Sequence, residues 1–181
     1  AGTNAISGIF NWNAGNWNNA TTTIGAGATL NIATGADHDF AGRAITNTGT
    51  VNWSAGYIRA GNGSTFTNAA GATFNDLNAS SYVIQNPFGG SFTFVNDGAY
   101  VRNTTGITYI DVPFDNNGTV NLLQGSIQFR AGGTLASTGS ITAGSGTSFV
   151  FTSGYNVQNG SSLAGAGGFQ LTGGTLTLNG T

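Results

Sequence analysis

A hydrophobic residue followed by asparagine returns along most of this chain at nearly constant spacing. The pair stands at Phe10-Asn11, Leu30-Asn31, Val51-Asn52, Phe74-Asn75, Val95-Asn96 and Val120-Asn121, and Ile141-Thr142 continues the series. Successive second residues lie 20, 21, 23, 21, 25 and 21 positions apart. A period in that range, carried by short alternating runs, marks a stack of repeats rather than one globular core. The expected fold class is all-β: a parallel β-solenoid (β-helix) with coils of about 20–25 residues, forming a single domain over 1–181.

Composition supports strands over helices. The chain has 31 Gly, 26 Thr and 22 Asn, and it lacks Lys, Glu, Cys and Met. Several of the best helix formers are therefore missing, while Gly, Asn and Thr are poor ones. Thr, Val, Ile and Phe suit a pleated, half-buried surface. Disorder would also tolerate this polarity, but 12 Phe, 5 Tyr and 3 Trp sit in alternating runs that can bury a core. Thr29-Leu30-Asn31-Ile32, Ser91-Phe92-Thr93-Phe94, Thr147-Ser148-Phe149-Val150-Phe151 and Thr175-Leu176-Thr177-Leu178 each place their apolar residues on one side.

Glycines fall where corners are needed. Gly27, Gly49, Gly71, Gly118 and Gly139 precede the hydrophobic member of the pair by two or three residues. Asn-Gly at 62–63, 117–118, 159–160 and 179–180 also suits hairpins, so an antiparallel sandwich is the competing architecture. A sandwich does not require the pair to return once per 20–25 residues, and the solenoid is preferred. In a solenoid Phe10, Leu30, Val51, Phe74, Val95 and Val120 form one inner column. Asn11, Asn31, Asn52, Asn75, Asn96 and Asn121 form a coil-stacking ladder. After about residue 143 the phase of the repeat blurs among crowded glycines. Neither end carries an amphipathic helix or a charged block, so the chain reads as a segment of a longer or end-to-end stacked assembly.

A net charge of −2 offers no basic footprint for nucleic acid, and no apolar run is long enough for a membrane helix. The segment Gly42-Arg43-Ala44-Ile45-Thr46-Asn47-Thr48-Gly49-Thr50-Val51-Asn52-Trp53-Ser54-Ala55-Gly56 resembles repeats of large bacterial extracellular β-helix proteins. These are the adhesins, autotransporter passengers and filamentous-haemagglutinin-like exoproteins. Asn116-Asn117-Gly118-Thr119-Val120-Asn121 and Phe10-Asn11-Trp12-Asn13-Ala14-Gly15 resemble parts of the same repeat. The resemblance implies an extracellular, cell-surface location and a structural or adhesive role, as a fibre subunit or adhesin stalk that associates with itself. It brings no catalytic residues.

Candidate sites are few. Asp37 and Asp39 share one side of a strand and, with a carbonyl, offer oxygen ligands for Ca²⁺; His38 then points the other way. Arg59, 22 residues beyond Asp37, is placed to pair with it on the next coil. Trp17, Tyr57, Tyr82 and Tyr155 are candidate glycan contacts, since broad aromatic faces stack on sugars. Trp12 and Trp53 are expected in the core or at a corner. A carbohydrate-degrading enzyme needs two carboxylates across a cleft, and only Asp37 or Asp39 with Asp76 qualifies. No nucleophile elbow, HExxH or phosphate loop is present, so no enzyme is expected and no cofactor is called for. An ice-binding surface is a further alternative. It needs a flat repeated array, and the Thr-x-Thr units at Thr65-Phe66-Thr67 and Thr175-Leu176-Thr177 do not recur in every coil.

Overall fold

The computed structural model describes residues 2–180. Those residues form no helix. They wind into a parallel β-solenoid of about eight turns. Each coil contributes a strand to three faces, as in Ser64–Asn68, Thr73–Asp76 and Val83–Gln85. The first face is a nine-stranded sheet that begins with Gly2–Ile6 and finishes with Leu176–Asn179. The second and third faces belong to one 14-stranded sheet. They fuse where Ala99–Ile110 and Thr119–Phe129 run through the corner as single long strands, bent at Gly106 and Gly125, which hold φ of 85° and 71°. Every strand pairing is parallel, which rules out the antiparallel sandwich.

The in–out alternation read from the sequence is the alternation of the fold. In Ser64–Asn68 and Thr73–Asp76 every second residue is buried and its neighbours face outward. Phe10, Leu30, Val51, Phe74, Tyr100, Val120, Ile141 and Leu163 stack as one inner column of the second face. The expected place of Val95 in that column is therefore taken by Tyr100. Val95 lies instead on the first face, opposite Thr67 and Asp115, with its side chain outward. The register also runs unbroken past residue 143, through Ser140–Ala143 onto Ser162–Gly165 and Ser148–Phe151 onto Gly168–Leu171. The expected blurring does not occur.

Inside, aromatic rings stack coil upon coil. Phe66, Phe94 and Phe114 lie parallel at 5.0 and 5.1 Å, and Phe74 and Tyr100 at 5.1 Å. The two stacks meet edge to face, as Phe74 does with Phe94 at 5.3 Å and 84°. Each such pair contributes about 0.5–1.5 kcal/mol beyond its buried area. The phenylalanine stack skips Gly133, whose Cβ would stand 2.1 Å from the Phe114 carbonyl oxygen. Tyr155 of the next coil fills the gap, and its phenol donates across it to the Phe114 carbonyl at 3.2 Å.

Candidate functional site

Two asparagine ladders run along the solenoid, at different depths. Asn11, Asn31, Asn52 and Asn75 project outward from the second face, and each side-chain amide donates to the carbonyl oxygen of the one before, at 2.9, 3.0 and 2.9 Å. Asn96 and Asn121 do not join them. The ladder's next positions are Val101 and then Asn121, which lies between Val101 and Thr142. Asn96 belongs to the second ladder: Asn47, Asn68, Asn96 and Asn116, fully buried at the end of the first-face strands. These amides bond to one another at 2.8, 2.7 and 2.7 Å. Their second protons reach the backbone carbonyls of Thr73, Ala99, Thr119 and Ser140 on the second face. Each asparagine thereby ties two coils and one corner together. The steps along this ladder are 21, 28 and 20 residues. The long step holds the excursion 77–91, which is why linear spacing misassigned Asn96.

The corner between the second and third faces is closed by whichever side chain occupies one inner column. In the first and third coils it is tryptophan: the Trp12 and Trp53 indole N–H groups donate to the carbonyls of Gly15 and Gly56 at 3.2 and 2.8 Å. Both are buried, so the corner reading of these residues describes their positions. In the next two coils of the same column stand Asp76 and Arg102, paired in register and completely buried. Arg102 Nη1 donates to Asp76 Oδ1 at 2.9 Å, to the Asn78 carbonyl at 3.1 Å and to Thr108 Oγ1 at 2.5 Å. Arg102 Nη2 donates to the corner carbonyl of Thr105. Asp76 also accepts from the Tyr100 phenol, the Thr108 hydroxyl and the Asn78 N–H. Burial pushes the Asp76 carboxyl above its ordinary range, against the pull of Arg102 and these donors. A carboxylate locked this way inside the coil cannot work with Asp37 or Asp39 across a cleft, so the carboxylate pair considered from sequence does not form.

The third face carries most of the exposed charge. Asp37 and Asp39 do share the outer side of their strand, and Arg59 on the next coil takes both: Nη1 lies 2.6 Å from Asp37, and Nε and Nη2 lie 2.7 and 2.9 Å from Asp39. The guanidinium occupies the place a Ca²⁺ ion would need. No group of three or more His, Cys, Asp or Glu side chains is arranged for a metal among the described residues. Arg130 repeats the device on Asp111 and lies over the Tyr109 ring. His38 turns inward, fully buried, and meets the Trp12 ring edge-on at 5.2 Å. Neither ring nitrogen has a well-formed hydrogen bond. Burial pushes its pKa below 6.5, and the nearby Tyr57 and Trp12 carbonyls, Asp37 and Asp39 only partly offset that.

The aromatic candidates are scattered. Tyr155 is 2% exposed and lies within the core, where burial pushes its phenol pKa up, so it is no surface contact. Trp17 stacks on Trp12 at 4.7 Å and lies tilted against Phe10 at 5.1 Å, with the Arg43 guanidinium 5.5 Å from its ring. Phe10, Trp17 and Arg43, together with Ile6 and Ile9, line an open cavity of about 410 Å³ at the first coil. Tyr57 and Tyr82 are half-buried and packed edge to face at 5.2 Å, each occupying one side of the other. The four therefore form no common platform.

Comparison with protein-family models, characterised proteins and solved structures found no significant match. No helix of the described residues is long and apolar enough to cross a membrane.

Proposed function

We propose that this chain is a rigid structural segment of an extracellular β-solenoid, a fibre subunit or adhesin stalk, joined to further coils through its terminal strands. The observation that carries the reading is the unbroken parallel stack, whose first-face strands run in register from Gly2–Ile6 to Leu176–Asn179. Gly2–Ile6 pairs on one side only, with Ala20–Ile24, and Leu176–Asn179 only with Tyr155–Gln158. Ile9 is 77% exposed in the first coil, and Leu178 is 64% exposed in the last. Such edges are templates for added strands.

The columns also say how a second copy fits. Leu178 ends the column that Ile6 begins, Leu176 ends that of Asn4, and Leu163 ends that of Phe10. Head-to-tail stacking on the nine-stranded face sets Leu178 on Ile6 and Leu176 on Asn4 and continues that face's strand ladder. A heterologous contact of this kind propagates rather than closes. The resemblance of 42–56 to repeats of extracellular β-helix proteins supports the location. Electron microscopy across a concentration series tests the reading. Unbranched filaments that disappear in Leu178→Lys support it; monomers at every concentration overturn self-assembly, and filaments that persist in Leu178→Lys overturn assembly through the terminal strands.

A further inference from the structure

Outside the second face, two ranks of uncharged side chains run parallel down the solenoid. One is Ile9, Thr29, Thr50, Thr73, Ala99, Thr119, Ser140 and Ser162. The other is Asn11, Asn31, Asn52, Asn75, Val101, Asn121, Thr142 and Ala164. Threonine and asparagine thus flank one buried residue in Thr29-Leu30-Asn31, Thr50-Val51-Asn52, Thr73-Phe74-Asn75 and Thr119-Val120-Asn121. The Thr-x-Thr units sought from sequence hid this array, because its repeating unit is Thr-x-Asn.

Three features set this face apart. Its register has no slip until the corner beyond Arg102, so the ranks are straight. Strand spacing repeats the pattern about every 4.8 Å along the axis, and two residues of strand separate the ranks by about 6.6 Å. Its two outward ranks have no charged and no aromatic side chain, whereas the outer side of the third face carries Asp37, Asp39, Arg59 and Tyr57, and that of the first face carries Asp115. Its groups are also stiff. Threonine is restricted at χ1, and Asn11, Asn31, Asn52 and Asn75 are held by their ladder. An amide has two protons and two acceptor positions, and the ladder uses one of each per step. What remains faces solvent at a fixed spacing.

We infer that the second face is a binding surface for ice. A rigid neutral lattice of hydroxyls and amides orders its first water layer without paying to immobilise the protein groups. That layer repeats at the strand spacing along the axis and at the rank spacing across it, the two-dimensional order that a growing crystal plane can extend. A crystalline polysaccharide is less suited to this face, since sugar rings favour aromatic platforms and the aromatic residues here, Phe10, Phe74 and Tyr100, are in the inner column.

The test measures ice-crystal shaping and freezing hysteresis for the wild-type chain and three variants, each checked for an unchanged thermal melt. Thr50→Lys with Thr73→Lys puts two long cations into the array and is expected to abolish both effects. Gln128→Lys, outward on the third face, and Thr65→Lys with Thr67→Lys, outward on the first, are expected to retain them. A folded wild-type chain that leaves ice growth untouched overturns the inference. Loss in the first-face variant with retention in the second-face one overturns it as well. So does co-sedimentation with crystalline cellulose or chitin without any effect on ice, which would assign the face to a polysaccharide.

Discussion

The inner and outer asparagine ladders use the same residue, the same stacking and nearly the same bond lengths, yet they do different physical work. Along Asn11, Asn31, Asn52 and Asn75 water competes for every amide, so each bond contributes only the small net difference between protein and solvent partners. Along Asn47, Asn68, Asn96 and Asn116 no water reaches the groups, and each amide also satisfies a corner carbonyl. The inner ladder therefore fixes where one face meets the next, and removing a rung strands several buried partners at once. The ion pairs repeat the contrast: Asp76–Arg102 is wholly enclosed, while Asp111–Arg130 is part-exposed.

Breaking the enclosed pair is expected to cost most. Arg102→Met leaves Asp76 buried without its countercharge, and a loss of about 3–5 kcal/mol should appear in urea unfolding. A loss below about 1 kcal/mol would mean that Tyr100, Thr108 and Asn78 alone satisfy the carboxylate. Next comes Asn68→Ala. It removes the acceptor for Asn47, the donor to Asn96 and the donor to the Ala99 carbonyl, and should cost about 3 kcal/mol.

Acid should act on the interior through His38. Its folded pKa lies below the ordinary 6.5, so below pH 6.5 the unfolded chain binds more protons than the folded one. Stability is complete above 6.5 and falls as pH drops toward the folded value, by at most about 1.4 kcal/mol per pH unit for one proton. Comparing wild type with His38→Phe between pH 7 and 5 isolates this contribution. Equal slopes would place the imidazole in contact with solvent. The smallest effects belong outside. Asn52→Ala should cost under about 1 kcal/mol, and Arg130→Met about the same or less. An Asn52→Ala loss equal to that of Asn68→Ala would erase the distinction between the ladders.

Much of the architecture was legible because it rests on local alternation. Leu30, Val51, Phe74 and Val120 announce their inner column, and Asp37 and Arg59, 22 residues apart, announce their ion pair. The buried network was not legible. Asp76 and Arg102 lie far apart in sequence and meet only because the long excursion 77–91 sets their register. A signal for the inner ladder did exist: Phe66-Thr67-Asn68, Phe94-Val95-Asn96 and Phe114-Asp115-Asn116 share an aromatic-x-Asn pattern. Its returns of 28 and 20 residues hid it beneath the more regular outer pair. Tyr155 looked like any exposed tyrosine, and only the missing side chain of Gly133 explains why it enters the core.

The sequence alone determined that this chain stacks parallel coils, because a period-two pattern returning about every 20–25 residues has one side to bury and one repeat on which to bury it. The tertiary structure decided which rungs meet. Corners vary in length while strands stack at one spacing, so the partner of a residue depends on the path of the corner and not on the count of residues between.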